Sequence, residues 1–174
     1  TTTPWTLPAN QAVALNPNLN YHLVKINHTN KTEYMVLADE LIDYCLTRYN
    51  FLETEIVQTF KGHLLEGLLL RHPFYEREVP VVLGNHVTVE SGTGAVHTAP
   101  GHGIDDYVVG MNYKLKVENP VGPNGCFVKS TEIFAGEYVF KANKHVIDVL
   151  KEKENLVANE KIQHSYPHCW RHKT

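Results

Sequence analysis

"GTGAVHTAPGHGIDDY", residues 92–107, sets four glycines, two histidines and two aspartates in sixteen positions and contains neither cysteine nor serine. Its parts read as three pieces of structure. The run Ala95 to Thr98 alternates as a strand, placing His97 within it. The glycines that follow mark a loop carrying His102, and "DYVVGMNY" reads as a short helix opening at Asp105 or Asp106. A carboxylate at a helix start can cap the free amides or, kept ionised by the helix dipole, face a ligand. Two adjacent aspartates allow both roles.

Working outward, further strands are expected at Ala12 to Leu15, Tyr21 to Ile26, Glu33 to Leu37, Glu55 to Phe60, Val79 to Leu83 and Val87 to Val89. Later candidates are Lys116 to Glu118, Tyr138 to Phe140 and Leu156 to Gln163. A helix over Ala38 to Tyr49 puts Leu41, Ile42, Cys45, Leu46 and Tyr49 on one stripe, and Asn143 can cap another carrying Val146, Ile147 and Leu150. Prolines and glycines punctuate the chain as turns, with no linker and no internal repeat. The expectation is one domain over residues 1–174, mainly β with peripheral α-helices, its short strands forming a small closed or nearly closed barrel.

Composition narrows the partners. A formal charge of −3 gives no general pull toward nucleic acid or an anionic membrane, so any RNA contact must be local. Cys45, Cys126 and Cys169 are odd in number and scattered, which argues for free thiols and a cytoplasmic location. No run of apolar residues is long enough for a membrane span. The chain opens on "TTTPWTLPAN" without methionine and stops abruptly at "YPHCWRHKT", which reads as a domain excised from a larger protein.

Several residues could carry chemistry. Gly92, Gly94, Gly101 and Gly103 would let main-chain amides approach a ligand, although turns explain such clusters equally well. His97 and His102 could be a general base, a metal ligand or a hydrogen-bonded wall. A metal could gather His97, His102, Asp105 and Asp106, or His164, His168, Cys169 and His172, but neither set has a recognised zinc spacing. Thr1, Thr2, Thr3 and Thr6 offer uncharged hydroxyls, and Pro4 and Pro8 argue that they line an edge rather than a regular central strand. With no nucleophilic dyad in view, water is the expected attacking group.

Together "TTTPWTLPAN", "GTGAVHTAPGHGIDDY", "NPVGPNG" and "HSYPHCWRHKT" resemble the editing domain inserted in the catalytic fold of isoleucyl-tRNA synthetase, in order and across the whole chain. Thr3, Trp5 and His97 favour the isoleucine enzyme over its valyl and leucyl relatives. The resemblance implies a six-stranded barrel-like editing fold and post-transfer editing, the hydrolysis of valine from the isoleucine tRNA with exclusion of isoleucine. One missing methylene contributes only about 1 to 3 kcal/mol of discrimination, and isoleucine against valine is the familiar example of that shortfall.

Carried onto this chain, the family pattern gives Asp106 to the α-amino group and His97 to the wall limiting side-chain size, with Thr2 and Thr3 lining the amino-acid site. Thr1, Thr6 and Asn10 join the substrate peptide. Gly92, Thr93, Gly94, Ala95, Val96, Gly101 and His102 would hold the terminal adenosine. The implied partners are the tRNA 3′-terminal adenosine carrying valine and the catalytic body of an ATP-dependent parent synthetase. A monomer with no required cofactor or metal is expected. Two alternatives stay open on the residues themselves: an aminoacyl-adenosine or RNA-end binding module without catalysis, and a metal-dependent hydrolase.

Overall fold

The computed structural model describes residues 1–28 and 31–160. The alternating apolar segments become seven strands: β1 (Ala12–Leu15), β2 (Asn20–Asn27), β3 (Thr32–Ala38), β4 (Thr54–Lys61), β5 (Leu69–Arg71), β6 (Glu78–Leu83) and β7 (Ala95–Thr98). Three α-helices accompany them, α1 (Ile42–Arg48), α2 (Ile104–Asn112) and α3 (Val139–Glu152), with short 3-10 turns at Pro4–Ala9, Asp39–Leu41 and Gly62–Leu65. One sheet has the order β5-β6-β1-β7 and the other β3-β2-β4. Within the first, β1 runs parallel to β6 and antiparallel to β7.

The described residues contain no ladder that closes these two open sheets into a six-stranded barrel. The sheets meet instead at the entry to β7. There the Ala38 amide donates to the Thr93 carbonyl at 3.0 Å and the Tyr21 hydroxyl donates to the Gly94 carbonyl at 2.7 Å. Gly92 and Gly94 both hold positive φ, 83° and 78°. That left-handed backbone breaks the extended run a closing ladder between β3 and β7 would need.

Three apolar clusters hold the fold. Leu15, Tyr21, Val24, Ile26, Leu37 and Val81 from the strands pack with Leu41, Ile42 and Cys45 at the start and inner face of α1. The inner face of α3, Val139, Ala142, Val146, Val149 and Leu150, packs on Phe74, Phe127 and Phe134, with Trp5 and Leu7 against the same cluster. Ala12, Ala14, Val82 and Val87 meet Val109 of α2. Each large side chain removed from water in this way contributes about 1.5–3 kcal/mol.

Several expected elements differ. Tyr138 bridges Cys126 and then Val139 begins α3, so Tyr138 to Phe140 is a helix start, not a strand. That helix opens four residues before Asn143, whose side chain accepts a hydrogen bond from the Trp5 amide at 2.9 Å instead of capping. Val87 to Val89 and Lys116 to Glu118 are irregular; Val87 is nonetheless fully buried, held by its carbonyl to the Asn16 side chain. Leu156 to Glu160 is also irregular, and the rest of that expected strand lies outside the described residues.

The two positive-φ glycines differ in surroundings, and this separates conformational strain from crowding. A Cβ at Gly92 would meet open space, whereas one at Gly94 would overlap the Ala38 Cβ. Gly92→Ala should therefore cost about 1–2 kcal/mol of stability from left-handed backbone alone. Gly94→Ala should cost more by about 1–3 kcal/mol of overpacking. Urea unfolding of the two variants checks the order.

Candidate functional site

The threonine-rich peptide reaches the site because it runs straight into β1. Register pairs Ala12 with Thr98 and Val13 with His97, and the Gln11 amide donates to the Thr98 carbonyl at 2.9 Å. Asn10, just before β1, is thereby set beside the C-terminal end of β7. Pro4 and Pro8 keep residues 4–9 out of a ladder. The segment closes as a 3-10 turn, with Thr6 N to Thr3 O and Asn10 N to Leu7 O, each 3.0 Å.

A hydrogen-bond chain then fixes His97. The Asn10 amide nitrogen donates to the Ala12 carbonyl at 2.8 Å, which orients the amide because a carbonyl only accepts. Its other hydrogen points at His97 Nδ1, 2.7 Å away. Nδ1 is thus the acceptor and the ring proton sits on Nε2, 3.1 Å from Thr6 Oγ1. Thr6 in turn donates to the Thr3 carbonyl at 2.8 Å. Burial pushes the His97 pKa down to about 4, with nearby positive groups adding to the effect. Both ring nitrogens are engaged and the ring is neutral, so His97 is a poor general base held in a fixed orientation.

On the far side of the glycine turn, α2 opens at Ile104 with Gly103 in extended backbone before it. Neither aspartate caps the helix by its side chain. Asp105 is exposed, while Asp106 reaches back and accepts from the Ala99 amide at 2.8 Å. Ala99 is two residues from His97, so the Asp106 carboxylate lies within about 10 Å of the His97 Cα by chain reach. One carboxylate oxygen is committed to the amide.

His102 completes the grouping. Its amide donates to the Ala99 carbonyl at 2.8 Å and its ring meets Trp5 edge to face at 5.2 Å. Burial lowers its pKa, with Asp106 opposing that shift. His102 Nε2 is buried and makes no hydrogen bond among the described residues. Leaving such a nitrogen unsatisfied costs about 1–3 kcal/mol, which a polar ligand atom would relieve.

The other expected residues divide. Thr2 is exposed and Thr3 half-buried, and the hydroxyls of both are without hydrogen bonds among the described residues, while Thr1 Oγ1 accepts from the Thr3 amide at 3.0 Å. Gly92, Thr93, Gly94 and Ala95 lie at the opposite end of β7 from His97. The Gly92 carbonyl accepts from the Cys45 thiol, Thr93 hydrogen-bonds Ala95, and Gly94 is packed on Ala38. Val96 packs against the cluster of β1, β6 and α2, and Gly101 leaves no room for a Cβ beside the Glu118 carbonyl. Gly94 and Gly101 are thus closely packed by neighbouring chain, while Gly92 holds a left-handed turn facing open space.

Among the described residues no three His, Cys, Asp or Glu side chains gather as metal ligands, and His164, His168, Cys169 and His172 lie outside those residues. No described helix is long and apolar enough to cross a membrane. Sequence reasoning passed over His72 and Arg77, which grip the threonine-rich peptide from the β5–β6 hairpin. Pro73, immediately after His72, was the signal of a turn there.

Burial likewise pushes the His72 pKa down to about 4 from an ordinary 6.5. The unfolded chain then binds more protons than the folded one between those values, so stability is full above about 6.5 and is lost as pH falls toward 4. The slope is at most about 1.4 kcal/mol per pH unit for each histidine. The urea midpoint should drop between neutral and mildly acid pH, and the drop should shrink in His97→Gln. A midpoint flat across that range would mean that neither ring is held neutral.

The family model for the leucyl-tRNA synthetase editing domain matches residues 7–163. The chain is 61% identical over its whole length to an isoleucine–tRNA ligase of Nitrosococcus oceani and 59% identical to that of Thioalkalivibrio sulfidiphilus. It spans 18% of the length of each. In fold it is similar to the GlLeuRS-CP1 crystal structure, with TM-score 0.71 at 15% identity over 94% of this chain and 83% of that one. It is likewise similar to the P. falciparum cytosolic leucyl-tRNA synthetase editing domain, with TM-score 0.65 at 14% identity over 88% and 76%. The chain belongs to the family of leucyl-tRNA synthetase editing domains, and within it matches a segment of isoleucine–tRNA ligases from end to end.

Proposed function

We propose that this domain hydrolyses the ester joining valine to the 3′-terminal adenosine of isoleucine tRNA. The observation that carries the reading is the Asn10–His97–Thr6 chain, which fixes a neutral ring within chain reach of the Asp106 carboxylate. A rigid ring suits steric exclusion: valine fits against it and the extra methylene of isoleucine overlaps it. Asp106 supplies the anchor for the α-ammonium. A carboxylate about 4 Å from such a cation contributes on the order of 4 kcal/mol at an effective dielectric near 20.

The attacking group is water. Its oxygen adds to the ester carbonyl carbon, the bond to the ribose oxygen breaks, and a proton passes to that oxygen to release valine and a free tRNA end. Thr2 and Thr3 hydroxyls, main-chain groups and the neighbouring ribose hydroxyl orient the water; Thr6 is already committed to His97 and the Thr3 carbonyl. Since residues 92–95 pack on the other end of β7, the terminal adenosine is assigned to the Gly101, His102 and Trp5 side. It is read as a single-stranded end, by stacking and ribose contacts.

The net charge of −3 leaves most tRNA affinity to the parent synthetase, in the cytoplasm, and the domain acts as a monomer without metal or cofactor.

Deacylation of valyl-tRNA and isoleucyl-tRNA tests the assignment. Asp106→Ala should lose about tenfold or more in valyl-tRNA hydrolysis at subsaturating substrate. His97→Ala should begin to hydrolyse isoleucyl-tRNA, and a chelator should change neither wild-type rate. Undiminished hydrolysis by Asp106→Ala, or isoleucyl-tRNA still protected from His97→Ala, would reject the roles given to them.

A further inference from the structure

The threonine-rich peptide has a structural difficulty. Pro8 has no N–H, and residues 4–9 form a 3-10 turn rather than a strand, so the carbonyls of this stretch are not satisfied by a ladder. The hairpin between β5 and β6 supplies donors to it, adding a second at Leu7, whose carbonyl already accepts from the Asn10 amide. His72 Nε2 donates to the Leu7 carbonyl at 3.1 Å. One terminal nitrogen of Arg77 donates to both the Pro8 carbonyl, at 3.1 Å, and the Asn10 carbonyl, at 2.8 Å.

The donors are themselves fixed. His72 Nδ1 accepts from the amides of Phe74 and Tyr75, at 3.3 and 3.1 Å, which leaves the ring proton on Nε2. Its ring stacks on Tyr75 at 4.9 Å, and the Arg77 guanidinium lies over the same Tyr75 ring at 5.2 Å. Arg77 Nε is buried and makes no hydrogen bond among the described residues. The guanidinium holds its two carbonyls although, among the described residues, its Nε–H has no partner.

We infer that the β5–β6 hairpin is a clamp for the catalytic peptide, and that Arg77 is a positioning residue that acts on ester hydrolysis through Asn10 and His97. Among the described residues its hydrogen bonds reach only main-chain carbonyls, yet one of those belongs to the residue whose side chain sets the His97 tautomer. Releasing the Asn10 carbonyl lets its amide leave His97 Nδ1, and the ring then samples both neutral tautomers and swings. The kinetic part of the inference rests on the hydrolase reading; the tautomer part does not.

Two measurements on the full chain decide it: nitrogen-15 resonances of the His97 ring, and kcat and KM for valyl-tRNA hydrolysis. Arg77→Gln should keep a cooperative unfolding transition but move the His97 signals from a single Nε2–H pattern toward a tautomer average. Its kcat should fall about tenfold to a hundredfold, as expected for a misplaced site, with KM within about twofold. Arg77→Lys keeps the charge without the planar fork and should fall between wild type and Arg77→Gln.

A folded Arg77→Gln with wild-type His97 signals and kcat would overturn the clamp, as would a loss confined to KM. If Arg77→Gln does not fold, Arg77→Lys decides in its place, and wild-type signals there would overturn it. If the wild-type chain hydrolyses no valyl-tRNA, the hydrolase reading fails while the His97 signals still test the clamp.

Discussion

The Asn10 amide group has two hydrogens, and the geometry of the site follows from where they go. One binds the Ala12 carbonyl and ties the threonine-rich peptide to the first residue of β1; the other binds His97 Nδ1 across the sheet. The pairing works only in the observed register, with Val13 opposite His97. A slip of one residue would turn every side chain of β7 to the other face and remove the ring from Asn10. The sheet thus determines the chemistry through alignment before any functional group acts.

Alignment has an electrostatic counterpart. A histidine near the surface titrates close to neutral pH and offers a proton-transfer group; buried between Asn10 and Thr6, this one stays neutral with both nitrogens occupied. The arrangement gives up acid–base chemistry in exchange for a fixed position. Asp106 shows the complementary choice, a carboxylate in the first turn of α2 with one oxygen held by the Ala99 amide. A strand end, a glycine turn and a helix start, consecutive in sequence, thereby deliver a neutral group and a charged one to the same region.

Much of this was legible in the sequence and some was not, for local reasons. AVAL and AVHT read as strands with their observed bounds, because both are short runs with β-branched residues, Val13 in one and Val96 and Thr98 in the other, bounded by turn residues. The glycine-rich loop was harder. Whether Gly94 serves a ligand or the fold depends on Ala38, which is remote in the chain, and nothing in "GTGAV" announces that neighbour. Tyr138 to Phe140 looked like a strand because its residues are aromatic and β-branched, but the phenylalanine cluster recruits that segment as the first turn of α3. Barrel closure was also beyond the pattern, since periodicity locates strands without showing which edges pair. His72 and Arg77 act on carbonyls, which every residue has, so no motif could mark their targets.

The steric wall proposed for His97 has a physical reason to be a histidine rather than a leucine or phenylalanine. Excluding one methylene demands that the barrier move by less than the size of that group. An apolar side chain is held by many weak contacts and can hop between rotamers at modest cost. His97 has directional tethers at Nδ1 and Nε2 in addition to its strand, and each tether leads to backbone: Asn10 to the Ala12 carbonyl, Thr6 to the Thr3 carbonyl. Moving the ring then requires breaking hydrogen bonds in a buried setting, where an unmade bond costs about 1–3 kcal/mol. That penalty is comparable to the whole attractive value of a methylene, so a hydrogen-bonded ring can enforce by rigidity a distinction that pocket affinity alone draws weakly.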